Sequence, residues 1–359
     1  MNLPFNALKS FIVPVFIPHA GCPHRCVFCN QTTTTGQKDP FPHPDRIRET
    51  ISRFLNYRQP KHGFAEIAFY GGNFLGLPME RIGSLLSLAQ DYVREGRADG
   101  IRFSTRPDTI DSHRLNLVDQ FAVTTVELGV QSLSNDVLAQ CRRGHGSRQT
   151  VEAVALLRKN KSYRLGLQMM IGLPGDSAAG AMATARQIIQ WAPDFVRIYP
   201  TLVLKGSLLE QWYAEGKYLP LSLDEAVNQA KTLFALFSKK AVRVIRMGLQ
   251  PTEELNPQAS VVAGPFHPAF GELVRADLWL DILKAHFRKE AIQNSPVTLN
   301  IHPRSLSCVK GQKSTNFRKL TEAFGLSGIE VVQEHHLPVN TVIVNGKTCR
   351  LNLDPHPET

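Results

Sequence analysis

The sequence predicts an α/β protein that consists of a partial TIM-type (β/α)6 barrel and a small C-terminal α+β subdomain. The length of 359 residues suits about two domains of ordinary size, or one large barrel with an appendage. Apolar stretches of strand length alternate with helical periodicity, and six such strands occur within residues 11–199. Beyond them the pattern becomes irregular and ends in a predicted hairpin.

The six predicted strands are largely apolar, which is typical of strands buried on both faces of a parallel sheet. They cover residues 11–17, 66–70, 101–105, 124–128, 165–171 and 195–199. The predicted helices between them cover residues 46–55, 79–94, 149–158 and 178–191. A doubly wound open sheet would give a similar pattern, and in either architecture the functional residues are expected at the carboxyl ends of the strands.

The C-terminal part of the chain follows a different pattern. A loop rich in Gly and Pro at 249–271 sets the predicted domain boundary, with the core barrel at 1–250 and an α+β extension at 251–359. Before the loop we expect helices at 207–214 and 224–239 and a strand at 242–246. After it we expect helices at 272–292 and 316–324, strands at 297–301 and 328–332, and a hairpin at 341–353 that turns at Asn345-Gly346.

The composition is that of an ordinary globular protein. Hydrophobic residues make up 43% and charged residues 20% of the chain, which excludes the disordered and fibrous classes. No apolar run approaches the ~18 residues that a membrane span requires, so we expect no membrane association. The net charge of +10 weakly favours a polyanionic partner such as RNA.

The cysteine distribution indicates a reducing compartment. Cys22, Cys26 and Cys29 crowd into one segment while the other three cysteines stand alone, which is unlike a disulfide framework. The apolar run before Cys22 imitates an export signal, but Pro14 and His19 interrupt it. We therefore expect a cytoplasmic protein that retains Cys22.

The three crowded cysteines have the spacing C-x3-C-x2-C and directly follow the first predicted strand. They supply one thiolate fewer than the four of an ordinary [4Fe–4S] site, which would leave one iron open for another ligand. A Cys3His zinc site that includes His24 is the alternative. Together with Phe28 before the last cysteine, this motif resembles the radical S-adenosylmethionine (SAM) superfamily. The resemblance implies a [4Fe–4S] cluster on Cys22, Cys26 and Cys29, with SAM bound at the open iron.

The ends of the second and third strands are expected to contact SAM. Gly71-Gly72-Asn73 resembles the Gly-Gly-Glu segment that binds the SAM amino group in this superfamily. Asn73 stands in place of the Glu, so the loop is expected to act through backbone carbonyls. Ser104 lies in a segment similar to the one near the SAM ribose in the oxygen-independent coproporphyrinogen oxidase and elongator branches. Some relatives carry a ribose-binding Glu at its position.

The fourth and fifth strands add further candidates. By the same resemblance Gln131 and Arg143 match residues that contact the ribose and the methionine carboxylate, and Gln168 can meet the ribose from inside the barrel. Residues 196–206 strongly resemble the radical SAM half of the elongator catalytic subunit, and the likeness covers about residues 10–250. The sequence shows neither the acetyltransferase domain nor the additional zinc site of that enzyme, so we do not expect acetyl-CoA-dependent chemistry.

These features together predict a radical SAM enzyme that cleaves SAM reductively to a 5′-deoxyadenosyl radical, with an external one-electron reductant of the flavodoxin or ferredoxin type. The substrate and the residues that contact it are not assigned. The elongator-like core and the net charge favour tRNA, while a small metabolite and a protein stay open. Residues 263–272 are expected to close the barrel mouth or meet the substrate. The alternative from another class is a non-enzymatic RNA-binding protein that carries zinc or an iron–sulfur cluster.

Overall fold

The computed structural model describes residues 9–31, 42–59, 62–159, 163–249, 255 and 260–350. The strands up to residue 263 are β1 (Lys9–Phe16), β2 (His62–Tyr70), β3 (Gly100–Thr105), β4 (Val123–Gln131), β5 (Arg164–Ile171), β6 (Phe195–Pro200), β7 (Val203–Leu204), β8 (Val244–Met247) and β9 (Val261–Ala263). Within the described residues, seven of them form one parallel sheet in the order β1-β2-β3-β4-β5-β6-β8. The sheet curls into a half-barrel, which confirms the predicted partial TIM-type architecture.

The sheet is one strand larger than the predicted (β/α)6 unit. The strand expected at 242–246 is β8, which pairs in parallel with β6 and so extends the barrel wall. The remaining pair, β7 and β9, forms a small antiparallel ribbon beside the sheet.

The helices of this part are α1 (Pro44–Leu55), α2 (Met79–Arg94), α3 (Ser112–Val118), α4 (Asn135–Gln140), α5 (Ser147–Lys159), α6 (Ala178–Gln190), α7 (Leu208–Ala214) and α8 (Leu223–Lys239). Most of them cover the outer face of the sheet, whereas α4 and α7 bury Val137 and Leu209 in a separate cluster with Val27 and Met170. The predicted helix at 79–94 coincides with α2, which buries Ile82, Leu86 and Ala89 at helical spacing. The sequence did not predict α3 and α4, which are seven and six residues long.

Alternate strand residues face these helices and form the core. Val13, Ile67, Val126 and Ile198 are fully buried on this outer face. Phe69, Phe74 and Phe103 stack in a row, with ring centroids 5.1 and 4.7 Å apart. This alternation places the other residues of each strand on the inner, concave face, which lines the lumen of the half-barrel.

The lumen contains an array of buried ions. Arg102 donates from Nε to Glu66 Oε2 at 3.1 Å and from Nη1 to Glu127 Oε1 at 3.0 Å. Arg197 lies with Nε 2.7 Å from Glu127 Oε2, and its Nη2 donates to the Tyr70 hydroxyl at 3.2 Å. Because Tyr70 is on β2 and Arg197 is on β6, the array bridges the lumen. The inside of a TIM barrel is ordinarily filled by branched apolar side chains.

The C-terminal part adds α9 (Phe270–Lys289), α10 (Leu306–Lys310), α11 (Thr315–Phe324) and the strands β10 (Pro296–Ile301), β11 (Gly328–Gln333), β12 (Thr341–Val344) and β13 (Lys347–Arg350). These strands form a sheet in the order β11-β10-β12-β13. The turn at Asn345-Gly346, with positive φ at both residues, joins β12 and β13 as the predicted hairpin. Its predicted last residues, 351–353, lie outside the described residues.

The hydrophobic core continues from the barrel into the C-terminal part. Phe234 on α8, Trp279 on α9 and Leu299 on β10 belong to one continuous cluster of buried side chains. The domain boundary at 250/251 stays a prediction. No helix among the described residues is long and apolar enough to cross a membrane.

The lumen array makes a prediction about stability. Glu66 has no exposed side-chain surface and accepts from Arg102, Thr124 and Thr125, while Arg164 Nη2 lies 2.8 Å from its Oε1. Glu66→Gln is expected to lower the free energy of unfolding by about 3–5 kcal/mol, because it leaves buried guanidinium charge uncompensated. Chemical denaturation at neutral pH measures this change.

The exposed pair of Glu95 with Arg97 supplies the control, because Glu95→Gln should lower the free energy of unfolding by less than about 1 kcal/mol.

The ion pairs of Glu66 with Arg102 and Arg164 lower the pKa of its carboxyl group, although burial alone would raise it. A carboxyl group whose pKa is lower in the folded than in the unfolded protein stabilises the fold at pH values above its unfolded-state pKa. This contribution is lost as the pH falls through the folded-state pKa. The difference between wild type and Glu66→Gln should therefore shrink in acid, and equal effects of the two substitutions at neutral pH would contradict the interpretation.

Candidate active site

The three crowded cysteines lie in the loop that leaves the carboxyl end of β1. Cys26 is buried, whereas Cys22 and Cys29 are partly exposed. The loop is held by backbone hydrogen bonds, with Cys22 N donating to His19 O at 3.3 Å and Cys29 N to Cys26 O at 3.0 Å. Arg143, which follows α4, donates from Nη1 to Cys26 Sγ at 3.3 Å. A guanidinium group therefore lies beside the three thiols.

Burial keeps the thiols of Cys22 and Cys29 protonated as long as no metal binds. Burial and the neighbouring thiols raise the pKa of Cys29 to about 12, and burial raises the pKa of Cys22. Among the described residues, no three His, Cys, Asp or Glu side chains are arranged around a single ion. Each thiolate of a cubic cluster binds a different iron, so its ligands do not converge on one point. Three thiols at one strand end fit the donor set of such a cluster, and its assembly would release their protons.

The glycine pair after β2 lies against the cysteine loop. A Cβ atom on Gly72 would come within 2.3 Å of Ala20 O and 2.7 Å of Ile17 O, and Gly71 has a φ of +99°. Asn73 N donates to Ala20 O at 2.8 Å. Backbone from β2 and from the cysteine loop thus pack at a distance that excludes any side chain at position 72.

The side chain of Asn73 ties three segments together. Its Nδ2 donates to Gly21 O at 2.9 Å, and its Oδ1 accepts from Thr105 Oγ1 at 2.7 Å and from Arg106 N at 2.9 Å. The residue is fully buried. The structure therefore gives Asn73 a positioning role between the cysteine loop and the end of β3. The contact of Asn73 with SAM, like the contact through the backbone of Gly71 and Gly72, stays a prediction.

Three of the predicted SAM residues lie together on the barrel wall. Gln168 Nε2 is 3.4 Å from Gln131 Oε1, and Arg143 Nη2 donates to Gly129 O at 2.6 Å, between the cysteines and these glutamines. Gln131 ends β4 with a φ of +64°. Ser104 is partly exposed and pairs in register with Glu127. Their proposed contacts with SAM stay predictions.

Arg106 is a site residue that the sequence analysis did not select. Its Nε and Nη2 each lie 2.9 Å from a carboxylate oxygen of Asp108, and Nη2 also donates to Arg143 O. Its Nη1 is buried without a hydrogen-bond partner in the part of the chain that the structure describes, and the residue is 4% exposed. A buried N–H group that lacks an acceptor is costly, so this position suits an anionic ligand. The Arg-Pro-Asp spacing after β3 is the sequence signal that could have identified it.

His145 completes this cluster as a neutral imidazole. Burial, with the nearby Arg143 charge, lowers its pKa to about 4. Its Nε2 lies 4.0 Å from Asp108 Oδ1. The cluster therefore presents guanidinium charge from Arg106 and Arg143 without a further cation from the histidine.

The ribbon of β7 and β9 lies beside the cysteine loop. Asn30 Nδ2 donates to Lys205 O at 2.7 Å, and Lys205 N donates to Ser260 O at 2.9 Å. Leu209 N donates to Val27 O at 2.8 Å. Residues 263–272 lead from this ribbon into α9, and their expected role at the barrel mouth stays a prediction.

Comparison with known proteins identifies the family. Residues 16–188 match the model of the Radical SAM superfamily, and residues 193–279 match that of the Radical_SAM C-terminal domain. The chain belongs to the radical SAM superfamily. It is therefore a radical SAM enzyme, as the sequence predicted, and family membership supports SAM and a [4Fe–4S] cluster as its cofactors. The non-enzymatic alternative is set aside.

Curated relatives of this radical SAM enzyme include two proteins named tRNA uridine(34) acetyltransferase. The one from Methanocaldococcus infernus is 27% identical over 309 residues, which is 73% of this chain and 55% of the relative. The one from Dehalococcoides mccartyi is 28% identical over 231 residues, 55% of this chain and 50% of the relative. The chain thus spans about half the length of these relatives.

A solved structure of the archaeal Methanocaldococcus infernus Elp3 with an N-terminal deletion has the same fold. It aligns with 80% of this radical SAM chain and 64% of its own, at a TM-score of 0.59 and 23% identity. The expected likeness to the radical SAM half of an elongator-type protein is confirmed.

The contact at Gly72 makes a prediction about the site. Gly72→Ala is expected to lower the free energy of unfolding by about 1–3 kcal/mol, because the added methyl group meets backbone atoms of the cysteine loop that must move. The displaced loop should also reduce iron uptake. Thermal unfolding and iron analysis of the reconstituted protein measure both effects.

Gly83→Ala is the matched control. Gly83 lies within α2 and a Cβ there meets nothing within 4 Å, so this substitution should stabilise the protein by about 0.5–1 kcal/mol and leave iron uptake unchanged. Normal stability and iron uptake in Gly72→Ala would contradict the close approach described above.

Proposed function

We propose that this protein binds a [4Fe–4S] cluster through Cys22, Cys26 and Cys29, binds SAM beside it, and uses SAM cleavage to modify tRNA. The observation that carries the proposal is the position of three thiols at the carboxyl end of β1, with Arg143 donating to Cys26 Sγ at 3.3 Å. The matched superfamily supports the same cofactor pair. Cys22, Cys26 and Cys29 would hold the cluster, and the chemistry it would supply, after reduction by an external flavodoxin- or ferredoxin-type donor, is the one-electron cleavage of SAM to methionine and a 5′-deoxyadenosyl radical.

The residues of the chain would bind and orient SAM. Arg106 and Arg143 provide guanidinium groups for the methionine carboxylate, and the buried Nη1 of Arg106 has no acceptor among the described residues. Gln131, Gln168 and Ser104 line the wall expected to hold the ribose. The charge-assisted contacts of the arginines contribute about 1.5–3 kcal/mol each.

The tRNA assignment rests on two further observations. The curated relatives with the matches described above are named for a reaction on tRNA uridine(34). The net charge of +10 would favour contact with phosphates. The elongator-like acetyl transfer is not part of the proposal, because the likeness to those relatives covers about half of their length.

The cysteine assignment predicts the metal content. Anaerobically reconstituted wild type is expected to bind about four iron and four sulfide, and with a reductant to convert SAM into 5′-deoxyadenosine and methionine. Cys22→Ala, Cys26→Ala and Cys29→Ala should each lose both properties, because each removes one of three ligands. Iron and sulfide analysis and chromatography of the nucleoside product measure the outcome.

Cys308→Ala and Cys349→Ala are the matched controls and should keep both properties, since these cysteines lie in α10 and β13, in the C-terminal part. Stoichiometric zinc without iron uptake would refute the cluster assignment. A cluster that forms but supports no SAM cleavage would refute the proposed reaction while leaving the ligand assignment intact.

The substrate assignment predicts a missing nucleoside. Cells that lack the gene should lose one modified nucleoside from total tRNA, measured by mass spectrometry of the digested nucleosides. Wild type and Cys349→Ala should restore it, whereas Cys26→Ala should not. An unchanged nucleoside profile would refute tRNA as the substrate.

A further inference from the structure

Arg197 and Arg246 are neighbours on the wall of the lumen. They are register partners on the adjacent parallel strands β6 and β8, at an irregularity where the pairing shifts by one residue, and their Cα atoms are about 5 Å apart. The residues beside them, Ile198 and Met247, are register partners that are buried on the opposite face, under the helices. Both arginines therefore face the lumen. Both are partly exposed, which leaves them accessible from inside the half-barrel.

The carboxylates on the inner face are too few to neutralise the charge of its arginines. The described inner face carries four guanidinium groups and two carboxylates, those of Glu66 and Glu127. Glu66 is used by Arg102 and Arg164, and Glu127 is used by Arg102 and Arg197. Arg246 forms no hydrogen bond or ion pair with any described residue, so the positive excess is concentrated at β6 and β8.

The two guanidinium groups also have unused hydrogen-bond capacity. Arg197 Nη1 has the Tyr199 hydroxyl as its partner, at a long distance of 3.4 Å, while Nε and Nη2 are directed to Glu127 and Tyr70. Like charges on directly paired strand positions repel each other. An oxyanion bound between the two guanidinium groups would offset this repulsion and accept hydrogen bonds from both of them.

We propose that Arg246 and Arg197 form an oxyanion subsite that holds a phosphate or carboxylate group of the substrate in the lumen. The inference rests on the proposed function, in which the substrate enters this lumen. Arg197 is register partner of Gln168, so the subsite lies on the same wall as the predicted SAM residues. It would orient the substrate by its charged group and leave the remainder free to reach the SAM-derived radical.

The experiment measures anion binding to the reconstituted protein with SAM present, so that the SAM carboxylate occupies the separate arginines of that site. Inorganic phosphate and acetate are titrated in parallel at an ionic strength held constant with potassium chloride, and thermal unfolding gives the apparent affinity. At least one of the two anions should raise the melting temperature of wild type beyond the chloride control. Protection by phosphate indicates a phosphorylated substrate group, and protection by acetate alone indicates a carboxylate.

Arg246→Gln should weaken this protection about tenfold or more, without loss of stability in the absence of the anion, because it also removes the repulsion with Arg197. Arg246→Lys keeps the charge but not the fork and should be intermediate. Arg94→Gln removes the same charge from the exposed outer surface of α2 and should behave as wild type. Absence of protection in wild type, or unchanged protection in Arg246→Gln, would overturn the proposal.

Iron content and SAM binding are measured on the same samples and report on the proposed function independently. Arg246→Gln should keep both at wild-type levels. Wild type that lacks both would refute the proposed function, whereas the anion titration without SAM would still test whether Arg246 binds an oxyanion.

Discussion

The buried carboxylate of Glu127 is the constraint on which the shape of the barrel depends. It lies on β4 and is bound by Arg102 of β3, Arg197 of β6 and the Tyr70 hydroxyl of β2. A buried carboxylate needs such partners, since an unpaired charge in this environment is costly. The two guanidinium charges lower the pKa of Glu127 against the effect of burial, so the group stays ionised at neutral pH. Side chains from four strands must therefore meet at one point. They can do so because the sheet curls and brings its strands towards a common centre.

The cysteine loop depends on this curved sheet through Asn73. Its hydrogen bonds join the loop after β1 to the end of β3, and the missing side chain at Gly72 lets the backbones approach. Arg143 connects the same loop to β4 through Cys26 Sγ and Gly129 O. Three neighbouring strands therefore fix the positions of the thiols, which explains how an irregular loop can present a defined donor set.

The sequence predicted what depends on local pattern and on motif. The apolar outer face of the strands, the helix α2 and the hairpin at Asn345-Gly346 all follow from short-range signals, and the cysteine spacing indicated the family. The lumen array was not predicted, although Glu66, Arg102, Glu127 and Arg197 each lie within a predicted apolar strand and Arg164 directly precedes another. Such single charges become interpretable only when the register shows that they share one face. The same limit applies to β4. This strand extends to Gln131, past its predicted end at residue 128, because the polar residues on its inner face do not continue the apolar pattern from which the strand was predicted.

The two ends of the sheet have a consequence for how the lumen is reached. Within the described residues, β1 and β8 are the terminal strands and do not pair with each other. A closed barrel admits only molecules that pass through its mouth, whereas a sheet with two separate edges can also be entered from the side. Among the described residues, the separate edges of β1 and β8 therefore leave the hydrogen-bonded wall of the lumen open along one side.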